Sequence, residues 1–567
     1  MMDMEMGTDT EMGTEYDVVV VGAGPVGLML ACELALGGVR TLVVERLAEV
    51  DETIKAGGIN SPTAVALYRR GLLPALAEAQ ETAMSLFREF RGFRGFRGFR
   101  GLQEAQKARG EDGGAGAVPL PRFAGHFGGI MLDARLLDDS DPDFADLGPV
   151  DGIRLVPQAT LERLLGERAR ELGVEVRRQV EVTGFDAGHA DGSDGDGVTV
   201  RLTPGRDVRA GWLVGCDGGR STVRKLAGFG FPGTPPEITG YQAIADLTGT
   251  EGLRSGWQTT DVGTYAHGPM PGRILTVEFD GPPADRETPV TIEELQASVR
   301  RVTGVDVTVD KVRSITRFTD NCRQTSSYRA GRVLLAGDAA HVHSPFGGQG
   351  LNLGIGDAMN LGWKLAAVVR GHAPEGLLDS YTRERHPIGA WVLEWTRAQV
   401  ALMRPESHAR ALRKVVIGMT ETVDGTTHLA KRISGVWQHY DLPGDHPLVG
   451  RSAPDLELAD GTRLADHLHT GRPLLLDLAD DPKLRARAEG HGDRVDVRTV
   501  AAPARPQLTA LLVRPDGYVA WAADTERLPE NAENTEGTQG TEGTEGAKDP
   551  GDTLEAALER WFGAPAR

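Results

Sequence analysis

The chain has 567 residues, 40% of them hydrophobic and 25% charged, and a formal net charge of −19. That length implies roughly two to four domains, and the composition is that of a globular protein. The acidic balance argues against nucleic acid or an anionic membrane as partner, and Cys32, Cys216 and Cys322 are too far apart for a zinc or CxxC site, which points to a reducing cytoplasm.

Residues 1–15 read as a disordered acidic leader, without the basic region and apolar core of a secretory signal. Val18 to Cys32 is uncharged, but it is short, broken by glycines and followed at once by Glu33, so it does not read as a membrane span. Instead VVVVGAGPVGLML sets Gly22, Gly24 and Gly27 between a buried strand and a helix. Gly22 permits the tight turn, Gly24 lets backbone approach a pyrophosphate, and Gly27 lets helix and strand pack closely. Pro25 suits the first helical position, and the helix start offers N–H groups and a positive dipole end to phosphates. Glu45 ends the next strand, LVVE, where a carboxylate accepts hydrogen bonds from a ribose. A second GxGxxG, GFGFPG from Gly228, follows no strand and is discounted.

The next helix is expected at SPTAVALYRRGLLPAL, with Ser61 as its cap and Pro62 in its first turn. FREFRGFRGFRGFRGL, residues 87–102, repeats Arg-Gly-Phe with a period that fits neither helix nor strand. In so acidic a chain it reads as an exposed low-complexity loop rather than an RGG-like binding tract. Beyond it, RLVPQ leads into a helix at ATLERLLGERARELG, then strands, with a polar hairpin tip at GHADGSDGDG.

LVGCDGGRSTVRKLAG, from Leu213, runs from a strand through Asp217-Gly218 to Arg220, Ser221 and Arg224 at a helix start, a second phosphate-like corner. Residues of about 229–317 alternate like an antiparallel sheet with one helix, TIEELQASVRRV. Tyr241 and His267 lie on that sheet; either could serve as a base, but nothing in the spacing marks them, and both are read as plain sheet.

AGDAAHVHSPFGGQGLN, from Ala336, stands between an apolar strand and a long helix. Asp338 at the strand end suits a hydroxyl-rich chain, and Gly347, Gly348 and Gly350 leave backbone bare against a flat ring. A metal site from Asp338, His341 and His343 is the weaker reading, because no second ligand cluster accompanies them. Gly350, Gly354, Ala358 and Gly362 recur every fourth residue, a stripe for close packing against a neighbour. A Gly- and Pro-rich linker then opens a last segment with its own strand-helix alternation, which includes the insert TEGTQGTEGTEG.

In this order the three motifs resemble those of the class A flavoprotein monooxygenases, the para-hydroxybenzoate hydroxylase fold; the resemblance covers about residues 16–400. It implies an α/β FAD-binding Rossmann-like domain (16–86, 151–228 and 318–400) and a discontinuous α+β substrate domain (87–150 and 229–317). The segment after the linker (447–567), reached through helices over 401–446, resembles the family's thioredoxin-like C-terminal domain. It contains no cysteine, which leaves a structural or dimer-forming role rather than a thiol one.

The resemblance assigns FAD to Gly22, Gly24, Pro25, Val26, Gly27, Glu45, Arg46, Asp217, Pro345, Gly348, Gly350, Leu351 and Asn352, with Asp338 on the ribityl chain. Gln158 matches the family's glutamine on the ribityl side, and Lys55 stands where many members carry arginine. NADPH or NADH is the implied co-substrate. O2 would be activated as a flavin C4a-hydroperoxide, and one oxygen would enter a multi-ring aromatic, polyketide-type phenol. Alternatives on the same frame are a Baeyer–Villiger or other tailoring flavoenzyme and a non-catalytic flavin sensor. A halogenase is set aside, since no tryptophan stands in a Trp-x-Trp-x-Ile-Pro context.

Overall fold

The computed structural model describes residues 15–89, 125–150, 152, 154–187, 197–268, 270, 272–285, 288–525 and 553–565. The leader before residue 15, the Arg-Gly-Phe repeat beyond residue 89, the tip at 188–196 and the insert at 535–546 lie outside them.

The strand β1 (Tyr16–Val21) is YDVVVV, buried over its last four residues. Such an unbroken apolar run suits a parallel strand covered on both faces. The chain turns through the glycines into α1 (Pro25–Leu36) and returns as β2 (Thr41–Glu45), parallel to β1 with Val21 opposite Val44. The helix α2 (Ser61–Tyr68) follows, and its cap differs from the sequence expectation. Asn60 caps it, its side chain accepting the Thr63 N–H, which leaves Ser61 inside the first turn. The run does not continue as one helix: Gly71 takes a φ of +74°, and α3 (Leu73–Glu89) starts afresh.

After α4 (Gln158–Glu171), β3 (Glu175–Arg178) joins β2, and the antiparallel β4 (Glu181–Ala187) and β5 (Val198–Thr203) lead to β6 (Val208–Gly215) beside β1. Much later β12 (Arg329–Ala330) and β13 (Val333–Leu335) return to this eight-stranded sheet, with β13 parallel to β6. Its central order is β13-β6-β1-β2-β3. Leu335 and Val21 both lie opposite Gly215, so these strands end level with one another.

The intervening residues build an antiparallel sheet. It contains β7 (Thr239–Thr248), β8 (Gly256–Thr259), β9 (Gly263–His267), β10 (Arg273–Glu278) and β11 (Thr308–Phe318), in the order β8-β9-β10-β7-β11. The helix α5 (Ile292–Thr303) covers one face, packing Leu295 and Val299 on Tyr241, Ala243 and Ile274. The other face meets Phe346, Val400 and Met403. Those residues belong to the loop before α6 (Gly350–Val369) and to α7 (Ser380–Met403), which is followed by α8 (Ser407–Thr420) and α9 (Val423–Ser434). The small-residue stripe of α6 packs on α1: a Cβ on Gly354 would lie 2.5 Å from Val26, and one on Gly362 would lie 2.4 Å from Glu33.

The C-terminal unit is a four-stranded mixed sheet made of β14 (Leu474–Asp477), β15 (Asp496–Thr499), β16 (Leu508–Val513) and β17 (Val519–Asp524), with a helix at Leu554–Phe562. It is keyed into the α6–α7 pair by buried ions. Arg514 reaches Glu384 at 2.8 Å, and Glu384 also takes Lys364 at 2.9 Å. Each of the three is at most 3% exposed. Removing one member would strand a buried charge at a cost of about 3–5 kcal/mol, so this seam holds the domain orientation.

Candidate active site

Level strand ends bring the sequence motifs together. Glu45 ends β2, the glycine turn follows β1, Asp217 follows β6 and Asp338 follows β13. The strands that lead to Glu45 and Asp338 are three spacings apart, about 14 Å, in one sheet.

The three glycines of the first motif do three different things. Gly22 sits at φ +106° and packs on Cys216, 2.5 Å from its carbonyl oxygen if a Cβ were added. On Gly27 a Cβ would stand 2.0 Å from the Gly22 oxygen, so helix and turn tolerate no side chain there. Gly24, by contrast, would meet no protein atom within 4 Å, and neither would Gly348. Room is left at those two positions, where a Cβ would intrude on whatever lies above. Pro25 is buried at the start of α1, and Val26 fills a notch against Gly337 and Gly354. Neither α1 nor α6 has a side-chain cap, so the first N–H groups of both helices are uncapped by side chains at this edge.

The strand-end acids are not equivalent. Glu45 accepts the Ala23 N–H at 2.8 Å and the Leu47 N–H at 2.9 Å, which ties its strand to the glycine turn. Asp217 accepts the Thr222 and Val223 N–H groups at 2.7 and 3.1 Å. Two of the N–H groups at the expected phosphate-like corner are therefore taken by Asp217's own carboxylate, whose Oδ1 is buried without a partner among the described residues. Asp338 is exposed and makes no hydrogen bond or ion pair among the described residues. Beside it the His343 Nδ1–H donates to Ser344 O at 2.7 Å, which leaves Nε2 a bare acceptor, buried and without a partner among the described residues. Burial holds that imidazole below its ordinary value. A Cβ on Gly350 would be 3.3 Å from this Nε2 and 3.8 Å from Asp338 Oδ1, so both atoms face the start of α6.

The Asp338 turn is held from beneath. Asp357 on α6, fully buried, accepts Gly337 N–H at 3.0 Å, His341 Nε2 at 2.6 Å and Arg385 Nε at 2.8 Å. Burial opposes its charge, but His341 and Arg385 hold the Asp357 carboxyl below the usual carboxylate range. His341 Nε2 is thus engaged by Asp357, and no group of three His, Cys, Asp or Glu side chains able to hold a metal occurs among the described residues. Arg224 joins the second and third motifs, donating to Gly219 O at 2.8 Å and to Ala339 O at 3.0 Å.

Two further segments close the cradle. The loop before α2 is pinned by Gln158 N–H to Ala56 O and by the Ile59–Arg154 pair, each at 2.9 Å, and Ile54 N–H reaches Ser314 Oγ on the antiparallel sheet at 2.8 Å. Asn352 accepts Asn60 N–H and donates to Gly348 O, both at 2.9 Å, locking that loop to the glycine loop. Lys55 is exposed and paired with Asp51 at 2.9 Å; Arg46 and Pro345 are also exposed, and Leu351 is half-buried.

Against the glycine loop packs an aromatic cluster, the wall of a candidate substrate chamber, that the motifs did not announce. Trp257 and Phe318 stand 6.1 and 5.8 Å from Phe346, which follows Pro345 in the glycine loop. A hairpin, His126–Phe127 with Ile130–Met131, closes it, with His126 5.0 Å from Trp257 and Phe127 4.5 Å from Trp395. Gln399, fully buried, accepts Gly128 N–H at 3.1 Å and donates to Phe346 O at 3.3 Å, joining hairpin to loop. Tyr241 and His267 are not in the chamber. Tyr241 donates to Glu294 of α5 at 2.7 Å, and the register puts His267 on the same helix-covered face as Ile274.

Bare backbone at Gly24 and Gly348, uncapped helix starts, acceptors at Asp338 and His343 without partners among the described residues, and an aromatic cluster at the glycine loop fit a long dinucleotide that ends in a ring. The comparisons agree. Residues 15–396 match the FAD binding domain family, and residues 446–565 match the aromatic-ring hydroxylase C-terminal family. The chain is 41% identical over 578 residues to the 12-dehydrotetracycline 5-monooxygenase/anhydrotetracycline 6-monooxygenase of Streptomyces rimosus, covering 97% of this chain and 99% of that protein. It is 39% identical to a rifampicin monooxygenase of Streptomyces venezuelae, covering 90% and 96% of the two chains. The solved structure of the OxyS anhydrotetracycline hydroxylase from Streptomyces rimosus superposes with a TM-score of 0.77 at 38% identity, over 97% of this chain and all of that one. The chain belongs to the FAD-dependent aromatic-ring hydroxylases: it is a flavoprotein monooxygenase of the para-hydroxybenzoate hydroxylase fold.

Proposed function

We propose that this monooxygenase hydroxylates a multi-ring aromatic, polyketide-type phenol in the cytoplasm, using NADPH and O2. The observation that carries the reading is the Trp257–Phe318–Phe346 cluster, which gathers large flat side chains on the glycine loop itself, next to the backbone that would line a flavin ring. The names of the relatives, an anhydrotetracycline and a rifampicin monooxygenase, point to substrates of the same kind.

In this reading Glu45 takes the adenosine ribose, the start of α1 at Gly24 takes the pyrophosphate, and Asp338 with His343 Nε2 takes the ribityl hydroxyls. The backbone from Pro345 to Asn352 lines the ring, with Gln158 on the ribityl side, while Asp217 shapes the turn without touching phosphate. When bound, FAD supplies the reduction of O2 with electrons from NADPH and the transfer of one oxygen atom. The protein's own part is positional. Trp257 and Phe346 fix the substrate plane, Gln399 holds the hairpin over it, and the apolar walls exclude water from the reacting atoms.

Mass spectrometry of products formed under labelled O2, with anhydrotetracycline and angular polyphenols as probes, tests the reading. One labelled atom in an intact ring system is expected. Ring opening would indicate the Baeyer–Villiger alternative, and NADPH oxidation that no probe stimulates would contradict the proposal.

A further inference from the structure

The arginines of the antiparallel sheet and its helix are paired, with one exception among the described residues. Arg301 pairs with Glu278, Arg313 with Asp246, and Arg317 with Glu294. Arg273, at the start of β10, forms no ion pair or side-chain hydrogen bond among the described residues, although it is half-buried in a chain of net charge −19. Arg413, on α8, is also half-buried and among the described residues donates only to Gly128 O, at 2.5 Å.

Both belong to the chamber. Trp257 lies opposite Ala266, and Ala266 opposite Leu275. Strand alternation puts Arg273 on the same face as Leu275 and Val277, which pack with Phe346. Arg413 reaches the chamber through the closing hairpin, whose His126 ring lies 5.0 Å from Trp257 at a tilt of 47°. Gly129 N–H donates to His126 Nδ1 at 3.3 Å, so the neutral ring carries its proton on Nε2. Burial, with Arg273 and Arg413 beside it, holds this imidazole down to about 4, so it is a neutral donor at working pH.

A half-buried guanidinium without a counter-charge is costly unless a ligand supplies the anion. Phenols and enolised diketones of fused aromatic rings ionise readily, and they present that charge at the edge of a flat apolar body. We infer that Arg273 and Arg413, together with the Nε2–H of His126, form an anion pocket that binds the substrate through an ionised phenolic or enolic oxygen, its rings lying on Trp257 and Phe346. An ionised ring is also richer in electrons at the carbon to be hydroxylated. The inference rests on the aromatic-substrate reading and deepens it.

The test is calorimetric binding to the FAD-loaded enzyme at about pH 8, with alizarin as the ionised probe and its 2-methyl ether as the neutral one. The wild-type protein is expected to bind alizarin about tenfold more tightly than the ether, the scale of one charge-assisted hydrogen bond. Arg273→Leu and Arg413→Gln should each remove most of that preference and leave ether binding and FAD content unchanged, whereas Arg273→Lys should retain it. A wild-type protein that does not discriminate would overturn the inference, and so would a leucine variant that weakens both probes equally while keeping its FAD. Discrimination without labelled oxygen in any product would sink the hydroxylation reading and leave the anion pocket standing; labelled product without discrimination would do the reverse.

Discussion

The cofactor cradle and the proposed substrate chamber meet at the glycine loop, yet they are built by different means. The cradle is largely backbone: turns, uncapped helix starts and strand ends that come level because β13, β6, β1 and β2 share one register. The chamber is largely side chain, gathered from an antiparallel sheet, a hairpin and two helices. A site made of backbone is specified where the chain runs, by glycine and by strand ends. A site made of side chains exists only after distant elements have packed.

Substitutions in the two regions should therefore fail differently. The largest effect is expected within the first glycine motif. Gly27→Val puts a side chain where even a Cβ is 2.0 Å from the Gly22 oxygen, so stability should fall by about 3 kcal/mol or more and FAD should be lost. Gly24→Ala meets no protein atom and should leave the apoprotein melting temperature unchanged while weakening FAD about tenfold or more. Melting curves and flavin content of the two variants check the split. If Gly24→Ala binds FAD normally, the ligand does not approach that backbone.

Asp338→Asn should come next. The carboxylate is exposed and without a partner among the described residues, so apoprotein stability should hold while FAD affinity drops on the order of tenfold, read by fluorescence titration. In the chamber, Gln399→Ala removes both the Gly128 and the Phe346 contacts and should cost about 1–3 kcal/mol. FAD should stay bound, but less product should form per NADPH consumed, because the hairpin no longer excludes water.

The smallest effect is one of pH. The folded value for His126, about 4, lies below the 6.5 of the unfolded chain. The unfolded state thus binds more protons between those values, and stability declines as pH falls through that window, by about 1 kcal/mol at pH 6. Melts of His126→Asn across it should show a shallower acid decline than wild type; identical slopes would remove His126 from the account.

The same contrast explains what the sequence made legible. The first motif could be read because strand, glycine spacing and Glu45 each answer a separate physical need. The acids after β6 and β13 were legible as strand ends, but not that Asp217 would turn its carboxylate onto Thr222 and Val223. Asn60 outcompeted Ser61 as a cap because the helix starts one residue earlier than the periodicity suggests. Tyr241 illustrates the deeper limit: alternation divides a strand into two faces, but only the docking of α5 decides which face is covered. For that reason Trp257, Arg273 and Arg413 carried no visible signal, and His126 lies beside a repeat that pattern reading could not pass through. Phe346 and His343 were within the quoted motif, and what identifies them is their neighbours in space.

Density for FAD in a crystal of the loaded protein tests the central claim most directly. Adenosine should lie by Glu45, the pyrophosphate over Gly24, the ribityl chain at Asp338 and His343, and the ring against Gly348 facing Phe346. A dinucleotide that lies elsewhere, or one that leaves either Glu45 or Asp338 untouched, would contradict it.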